Sequence, residues 1–279
     1  MKLKHSMKLL LASLASQATA NNFAQTCLIK SALIAEYLMG VGAGDCVKTS
    51  GEVSVLNRLK RSESELIVFD VGSNKGQFLS MALEVLSCVP RQIHCFEPSK
   101  VAWASLCDTA TGSEGVTLCN IGLGRETGER VLYSNAPGSG SASLTKRRLD
   151  HFGISFSERE TVCIDTLDNY CRSHGIAHVD LLKIDVEGHE MDVLNGAAEL
   201  FRKNAIRFVT FEFGGCSIDT RTFVQDFWYF FSDHGMRIAR ITPGGFWFEL
   251  SDYREIYEQF RTTNFVAYSS LGQRNLGRA

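Results

Sequence analysis

The most constraining feature of the sequence is a rhythm that begins near residue 66, where short, almost continuous apolar runs alternate with segments of helical periodicity. The runs predict strands at 66–69, 93–96, 116–119, 179–184, 206–211, 237–241 and 265–268. Strands of a parallel sheet are covered by helices on both faces and therefore appear as continuous apolar runs rather than alternating ones. We therefore predict an α/β fold built on a mostly parallel sheet.

The segment before residue 66 has a different character. Residues 1–40 have helical periodicity and end in a glycine-rich stretch, and a second helix is predicted from about Gly51. The chain of 279 residues is long enough for one large α/β domain that carries this segment. The predicted organisation is a helical N-terminal extension at 1–65, a single domain at 66–270 and a C-terminal tail at 271–279.

Charge and cysteine usage narrow the class of protein. With 29 basic and 31 acidic residues the net charge is −2, so no overall field would attract nucleic acid. The nine cysteines are scattered and form no CxxC pair, which argues against a structural zinc site. We expect reduced core thiols, including Cys95, Cys119 and Cys163 in strand-like runs, and hence a cytoplasmic protein.

The N-terminus is consistent with two different structures. Lys2, Lys4 and Lys8 precede or flank a short apolar run, and 18–20 resembles a small-residue cleavage site of a secretion signal. The apolar positions of 3–18 also have helical spacing, as in an amphipathic leading helix, which we favour. No segment reaches the roughly 18 apolar residues of a membrane span.

A glycine turn follows the first predicted strand and reads Asp70-Val71-Gly72-Ser73-Asn74-Lys75-Gly76. Glycines at 72 and 76 allow the backbone to turn tightly and to approach a ligand closely. The dinucleotide fingerprint GxGxxG needs a third glycine, which is absent, so NAD is disfavoured. Asp70, just before the turn, suits a ligand with a cationic amino-acid group.

Glu97 stands at the end of the second predicted strand. A carboxylate at this position accepts hydrogen bonds from the hydroxyls of a ribose in nucleoside-binding α/β folds. The alternative is an exposed acid that caps the following helix. Together with the glycine turn and Asp70, the ribose interpretation indicates S-adenosylmethionine as the cofactor.

Several segments together resemble the FkbM-type methyltransferase family. They are DVGSNKGQF at 70–78, FEP at 96–98, Asn120 to Leu123, Thr166 to Asp168, DLLKIDVEGHEMDVLNGA at 180–197 and FEFGG at 211–215. The resemblance covers about residues 50–270, and KIDVEGHE is its most specific part. It implies a Rossmann-like class I methyltransferase fold, with a seven-stranded sheet whose last strand, at 265–268, is antiparallel.

The resemblance also implies an activity and the residues that bind the cofactor. Members of the family act mostly as S-adenosylmethionine-dependent O-methyltransferases on sugar hydroxyls of glycans or on secondary-metabolite scaffolds. The expected contacts are Asp70, Gly72, Asn74 and Gly76 with the methionine part, Glu97 with the ribose, and Asn120 and Ile121 with the adenine.

The end of the fourth predicted strand is dense in groups that could move a proton. An alcohol is a poor nucleophile, so methyl transfer to it requires in-line positioning and usually a base. Asp185, Glu187 and His189 are the candidates, and an imidazole titrates closest to neutral pH. Glu187 and Glu190 are equally placed to complement the dipole of the following helix.

Two further groups extend this candidate site. Asp185 and Glu212, at the ends of neighbouring predicted strands, would hold a divalent cation if the enzyme uses one, although we favour a site without metal. Lys183 points to the same side as Asp185. It either partners a buried carboxylate, which we favour, or contacts the substrate.

The acceptor is expected to be a small molecule or a glycan, bound by 133–161 and 213–229. The first segment interrupts the strand–helix alternation and is either a functional loop or a disordered one. Its basic run at 146–148 is either a solvated face or a site for a phosphorylated sugar. The aromatic residues of the second segment suit sugar stacking, but core packing is the preferred interpretation.

Four rival functions remain. An NAD-dependent sugar-modifying enzyme is one of them, and the missing third glycine of the turn argues against it. An amino-methyltransferase acting on DNA or RNA would need a polar-Pro-Pro-aromatic motif at the fourth strand, and this motif is absent. A non-catalytic cofactor-binding scaffold and an exported glycan-binding protein are the alternatives from other classes. The sequence does not define the oligomeric state or the acceptor.

Overall fold

The structure is a computed structural model that describes residue 13 and residues 15–61 and 64–269. The predicted tail at 271–279 lies outside the described residues. So does most of the segment for which a secretion signal or an amphipathic leading helix was predicted. Within the described part, no helix is long and apolar enough to cross a membrane.

Helices and strands alternate along most of the described chain. The helices are α1 (Asn22–Met39), α2 (Val53–Leu59), α3 (Gln77–Val85), α4 (Lys100–Ala110), α5 (Leu167–Ser173), α6 (Glu190–Asn195), α7 (Ala198–Arg202), α8 (Cys216–Thr220) and α9 (Val224–Asp233). The strands are β1 (Leu66–Val71), β2 (Arg91–Phe96), β3 (Val116–Cys119), β4 (Gly122–Leu123), β5 (Gly128–Ser134), β6 (Glu158–Asp165), β7 (Val179–Ile184), β8 (Ile206–Phe213), β9 (Arg237–Ile241), β10 (Trp247–Glu249) and β11 (Thr263–Tyr268).

Among the described residues the main sheet has eight strands in the order β10-β9-β11-β8-β7-β1-β2-β3. The strands from β3 to β8 in this order are parallel, and β11 lies antiparallel between β8 and β9. The predicted α/β fold with its antiparallel last strand is confirmed. The strand beyond the predicted seven is β10, which pairs with β9 after a tight turn at 242–246 and is too short to show a periodicity.

A second sheet of three strands, in the order β4-β6-β5, lies where the sequence showed only an interruption. β5 and β6 are antiparallel, and only a few of their side chains are buried. Their sequences therefore contain no continuous apolar run. Cys163 of β6 is exposed, so the expectation of a core thiol was wrong there, while Cys95 of β2 is buried. The segment 135–157 connects the two strands and crosses the same end of the main sheet as the candidate site.

Two hydrophobic clusters cover the two faces of the main sheet. Successive residues of β1 alternate between them, with Phe69 and Val71 in one cluster and Leu66 and Val68 in the other. Burial on both faces explains the continuous apolar run of this strand. The second cluster includes Val55, Leu56 and Leu59 of α2, so the part of the predicted extension next to the domain packs with the sheet.

The segment 40–52 approaches the sheet closely because it is rich in glycine. Gly44 donates its backbone N–H to the Thr262 carbonyl oxygen, 3.1 Å away, just before β11. Gly51 has a φ of +83°, and a Cβ added to it would overlap the Thr242 carbonyl oxygen. This close contact brings the residues between Gly44 and Glu52 to the carboxyl ends of the parallel strands, where ligands bind in open α/β sheets.

Candidate active site

The glycine turn joins the ends of two neighbouring strands. Gly72 has a φ of +84°, and a Cβ on it would overlap the carbonyl oxygen of Asp185 at the end of β7. Asn74 and Gly76 also have positive φ values, of 48° and 87°. Such a turn strongly favours glycine at 72, because any side chain there would separate β1 from β7.

Glu97 is held by the backbone of the residues around it. Its Oε2 accepts the N–H of Asn74 and its Oε1 accepts the N–H of Ser99, both at 2.8 Å. Burial raises the pKa of Glu97 to about 7, although these two hydrogen bonds oppose the shift. Each carboxylate oxygen keeps a lone pair, which fits the hydroxyl donors of a ribose. Glu97 is buried and its contact is with the N–H of Ser99, which precedes α4, so the alternative of an exposed acid that caps the helix was wrong.

Two cavities meet at this edge of the sheet. The smaller, of about 60 Å³, lies over Glu97 and Pro98, and the larger, of about 940 Å³, lies over the ends of β7 and β8. Five residues line both cavities: Gly72, Asn74, Gly140, Asp185 and Glu187. A ligand that extends from one cavity into the other must therefore pass these residues.

Four of the residues assigned to the cofactor line neither cavity. Asp70 is fully buried below the turn, and a Cβ on Gly76 would meet Leu106 and Thr109 of α4 rather than open space. The side chain of Asn120 donates to the carbonyl oxygens of Glu97 and Pro98, and Ile121 packs against the core. These four residues shape the turn and the loop after β2, while direct contact with a ligand stays a prediction.

The second sheet supplies part of the smaller cavity. Its apolar wall comes from Leu123, Leu132, Ala142, Leu144 and Ile164, together with Val186. The sequence did not indicate this wall, because its residues lie on three strands and one loop with no shared motif. The flat apolar wall suits a nucleobase, since aromatic rings gain from burial against such side chains.

Lys183 partners carboxylates, as predicted. Its Nζ lies 3.1 Å from Oδ1 of Asp70 and 3.5 Å from Oδ2 of Asp185, and it is buried. Burial acts to lower the pKa of Lys183, but the neighbouring carboxylates outweigh it and the pKa is raised. Lys183 is therefore charged, and its charge compensates the buried Asp70.

The three candidate bases have different surroundings. Asp185 and Glu187 line both cavities, and burial raises the pKa of Glu187 to about 8. His189 lines only the smaller cavity. Its ring nitrogens are both engaged, Nδ1 with Oδ2 of Asp192 at 2.8 Å and Nε2 with Oγ1 of Thr145 at 3.0 Å.

One residue of the predicted basic run belongs to the site. Arg147 donates from Nη1 to Oε2 of Glu187 at 2.8 Å and from Nε to Oδ2 of Asp219 at 3.2 Å. Arg148 faces solvent, with 89% of its side chain exposed, and pairs with Asp150. Charge pattern alone does not separate these neighbours. Because Arg147 is already paired with two carboxylates, the run does not form a cluster for a phosphorylated sugar.

Four more carboxyl groups line the larger cavity: Asp45 and Glu52 from the N-terminal segment, Glu84 from α3 and Glu212 from β8. Burial raises the pKa of Glu52 to about 7, and burial with the charge of Asp185 raises the pKa of Glu212 well above its usual value. In the described part of the chain no group of three or more His, Cys, Asp or Glu residues has an arrangement that could hold a metal ion.

The aromatic residues after β8 pack mainly into the core. Phe227 is fully buried and stacks on Phe211, with 4.4 Å between the ring centroids. Trp228 packs against the same cluster, whereas Phe223 and Tyr229 are exposed. None of these four lines either cavity, so the preferred interpretation of this segment as core packing is confirmed for Phe227 and Trp228.

Comparison with known proteins finds relatives in sequence and in structure. NoeI, a 2-O-methyltransferase of Sinorhizobium fredii, is 29% identical over 157 residues, which cover 53% of this chain and 63% of NoeI. Two solved structures are similar at a TM-score of 0.44. A methyltransferase FkbM from Methylobacillus flagellatus is 16% identical, and the match covers 73% of this chain and 43% of that protein. An S-adenosylmethionine-dependent methyltransferase from Agrobacterium tumefaciens is 8% identical, and the match covers 81% of this chain and 63% of that protein.

Residues 70–238, more than half of the chain, match the Methyltransferase FkbM domain. The matched range begins at Asp70, before the glycine turn, and includes Glu97, Asp185 and Glu212. The match spans 63% of the length of NoeI, and the chain belongs to the FkbM methyltransferase family.

Proposed function

We propose that the protein transfers a methyl group to a hydroxyl of a sugar, a glycan or a secondary-metabolite scaffold. The observation that carries the proposal is the junction of the two cavities, where Asp185 and Glu187 line both. The cofactor and the acceptor would meet at this junction. Two carboxyl groups there suit a reaction that removes a proton from an alcohol.

The chain's own residues fit the cofactor in three ways. Glu97 offers two oxygen acceptors to the ribose, the wall of Leu123, Leu132 and Ile164 suits the adenine, and the turn at Gly72 lets the methionine part pass close to the backbone. When bound, S-adenosylmethionine supplies a methyl group activated by a positively charged sulfur. In this proposal Asp70 acts indirectly, through Lys183.

The protein contributes alignment and proton removal to the reaction. Asp185 is the proposed base, because it lies at the junction and 39% of its side chain is exposed to the cavities and solvent. Lys183 holds this carboxylate in place from below. Glu187 shapes the opposite side of the junction and is held by Arg147. As the acceptor oxygen attacks, its proton passes to the Asp185 carboxylate, and good alignment supplies much of the rate.

The acceptor class is supported by the family and by NoeI, whose name describes transfer to an oxygen. The match covers 63% of NoeI, so the acceptor of NoeI is not assumed here. No divalent cation is required by the proposed mechanism, and activity in the presence of EDTA tests this point. Loss of activity that Mg²⁺ restores would favour a cation held by Asp185 and Glu212.

Calorimetric titration tests the cofactor site directly. We expect saturable binding of S-adenosylhomocysteine by the wild type, no binding of NAD, and a roughly 10- to 100-fold weaker affinity in Glu97→Ala, since buried hydrogen bonds to a charged group are lost. Glu160→Ala is the matched control, because Glu160 accepts the N–H of Lys100 at the start of the same helix but lines neither cavity. Equal affinity in Glu97→Ala would remove the proposed ribose contact.

Transfer itself is measured with radiolabelled S-adenosylmethionine and a series of methyl hexopyranosides.

We also propose a cytoplasmic location, because the cofactor is made and kept inside cells and an exported protein would lack it. Mass spectrometry of the mature N-terminus tests this: removal of the first 20 residues would contradict a cytoplasmic enzyme.

A further inference from the structure

The floor of the larger cavity is a row of neighbouring residues on four strands. In the register of β8 and β11, Glu212 lies directly opposite Asn264. Asp185 follows β7 by one residue, and Gly72 follows β1 by one residue, at the same level of the sheet. Side chains of a strand alternate between faces, and directly paired residues share a face. Glu212 and Asn264 therefore present their side chains together, and both line the cavity.

Asn264 has a hydrogen-bond donor without a partner. The residue is only 5% exposed, and its Nδ2 makes no hydrogen bond to any described residue. A buried amide donor left unpaired is unfavourable by more than a hydrogen bond is worth, so such groups are rare away from binding sites. Nδ2 itself is shielded from the cavity that Asn264 lines, so a ligand there accepts this hydrogen bond once the amide group turns about its last side-chain bond.

Glu212 complements Asn264 as an acceptor. Among the described residues no side-chain or backbone donor forms a hydrogen bond with its carboxyl group, although the residue is half-buried. Glu52 faces the same cavity from the N-terminal segment, and its Oε2 accepts the hydroxyl of Ser50 at 2.9 Å. The floor thus offers one amide donor beside one carboxyl acceptor, with a further acceptor on the wall.

The buried cations of the cavity are already paired. Lys183 contacts Asp70 and Asp185, and Arg147 contacts Glu187 and Asp219. Of the other cations that line the cavity, Arg261 pairs with Glu36 and Lys48 is exposed. Among the described residues that line the cavity, an anionic acceptor at Glu212 and Asn264 would therefore meet unpaired acidic groups and no free buried cation. Neutral hydroxyl groups meet no such repulsion and match a mixed donor and acceptor pair.

We propose that Asn264 and Glu212 form an acceptor subsite that binds two neighbouring hydroxyls of an uncharged sugar. Asn264 donates from Nδ2 to the oxygen of one hydroxyl, and the carboxyl group of Glu212 accepts the hydrogen of the next. The pair selects acceptors with a vicinal diol and rejects anionic ones. This inference rests on the proposed O-methyl transfer, since it names the group that the acceptor must carry.

The test uses the full chain saturated with S-adenosylhomocysteine. Methyl α-D-mannopyranoside, methyl β-D-galactopyranoside and methyl α-D-glucopyranoside are titrated and followed by saturation-transfer NMR, together with methyl β-D-glucuronide as the anionic probe. We expect at least one neutral glycoside to bind and the glucuronide to bind at least tenfold more weakly. For the best glycoside, the monodeoxy analogues identify the hydroxyls in contact.

The decisive measurement pairs ligand and protein changes in one cycle. Removing the hydroxyl that Asn264 contacts is expected to weaken binding roughly 5- to 20-fold in the wild type and by less than twofold in Asn264→Ala, because the same hydrogen bond cannot be lost twice. Asn264→Asp and Glu212→Gln are expected to weaken the glycoside similarly. Ser80→Ala, whose hydroxyl donates to the Gly76 carbonyl oxygen, is the control in the same cavity and should bind as the wild type does.

The outcomes separate this proposal from the general one. Additive losses for every deoxy analogue, equal binding of the glucuronide, or no binding of any neutral glycoside while S-adenosylhomocysteine binds would each overturn the subsite and leave the cofactor site intact. Failure to bind S-adenosylhomocysteine would overturn the proposed function itself. A purely structural role of Asn264 would lower the melting temperature of Asn264→Ala and leave the glycoside cycle additive.

Discussion

The two halves of the site are built in opposite ways. In the cofactor half the carboxylate expected to meet the ribose, Glu97, is held by two backbone N–H groups, although Oδ1 of Asn74 in the same turn has no hydrogen-bond partner among the described residues. The acceptor half gathers Glu52, Arg147, Glu212 and Asn264 from four distant segments. Several of these groups have raised pKa values or unpaired atoms.

This difference indicates what each half is built for. A site whose polar groups are already held by the backbone is preorganised for one unchanging ligand. When a cavity is empty, its unpaired donors and crowded carboxyl groups raise the free energy of the folded protein. A ligand that supplies the missing hydrogen-bond partners removes this cost and is therefore bound more tightly. Within one fold, the first half would serve any acceptor, and the second half would determine which acceptor is used.

The largest expected effect comes from the backbone of the cofactor half. In Gly72→Ala the new Cβ overlaps the Asp185 carbonyl oxygen, and the positive φ adds strain, so we expect loss of folded protein or of all S-adenosylhomocysteine binding. Gly112→Ala is the matched control, because Gly112 has a similar φ of +78° but no atom within 4 Å of the added Cβ. It should cost about 1 kcal/mol of stability by thermal unfolding. Similar behaviour of the two variants would show that the contact between β1 and β7 is unimportant.

The second effect lies at the junction of the halves. Asp185→Asn is expected to lower kcat by roughly 10²- to 10⁴-fold, the usual range for removal of a general base, with the affinity for S-adenosylhomocysteine changed by less than about threefold. The measurement uses the best glycoside acceptor of the series in a steady-state assay.

His189→Gln is the comparison for this prediction. Both ring nitrogens of His189 are already engaged, by Asp192 and Thr145, so we expect a decrease in kcat of less than about tenfold. A larger loss in His189→Gln than in Asp185→Asn would assign the base to the imidazole instead.

The third effect concerns the loop that closes the acceptor half. Arg147→Met leaves the partly buried Glu187 and Asp219 without their shared cation, and we expect a loss of roughly 2–4 kcal/mol in chemical denaturation. Arg148→Met removes an exposed pair with Asp150 and should change stability by less than about 0.5 kcal/mol. The two positions are adjacent, so equal effects would mean that net charge, rather than the contact, determines the result.

The same contrast explains what could be predicted from the sequence. The parallel sheet follows from continuous apolar runs, and the glycine turn and Glu97 follow from local spacing, because parallel strands bring their carboxyl ends together without further information. Lys183 was assigned correctly as a partner of carboxylates because it lies two residues before Asp185, so both side chains point to the same side of the sheet.

The acceptor half could not be predicted because its residues share no local pattern. Asn264 and Glu212 share no sequence motif. They lie side by side only because β11 pairs with β8 in an antiparallel register. Glu52 reaches the cavity only because glycines at 44 and 51 allow close approach to the sheet. β5 and β6 lacked a continuous apolar run, so their sheet and the apolar wall of the smaller cavity were missed.

The smallest expected effect is a pH dependence that arises in the acceptor half. In the folded state the pKa of Glu52 is raised to about 7 and that of Glu187 to about 8, mainly by burial, whereas both are near 4.5 when unfolded. The folded protein therefore binds these protons more tightly. The resulting stability is fully present below about pH 4.5 and is lost as the pH rises through 7 to 8. We expect a lower melting temperature at pH 8.5 than at pH 6.

Glu52→Gln removes one of these titrations while keeping the shape of the side chain. Its melting temperature should match that of the wild type at or below about pH 4.5 and exceed it by roughly 2–4 °C at pH 8.5, whereas Glu65→Gln, at an exposed position, should show no such difference. Binding of a neutral glycoside should reduce the pH dependence of the wild type if hydroxyl donors stabilise the carboxylates. An identical pH profile for Glu52→Gln and the wild type would mean that water already solvates Glu52, and the acceptor half would then be as well satisfied as the cofactor half.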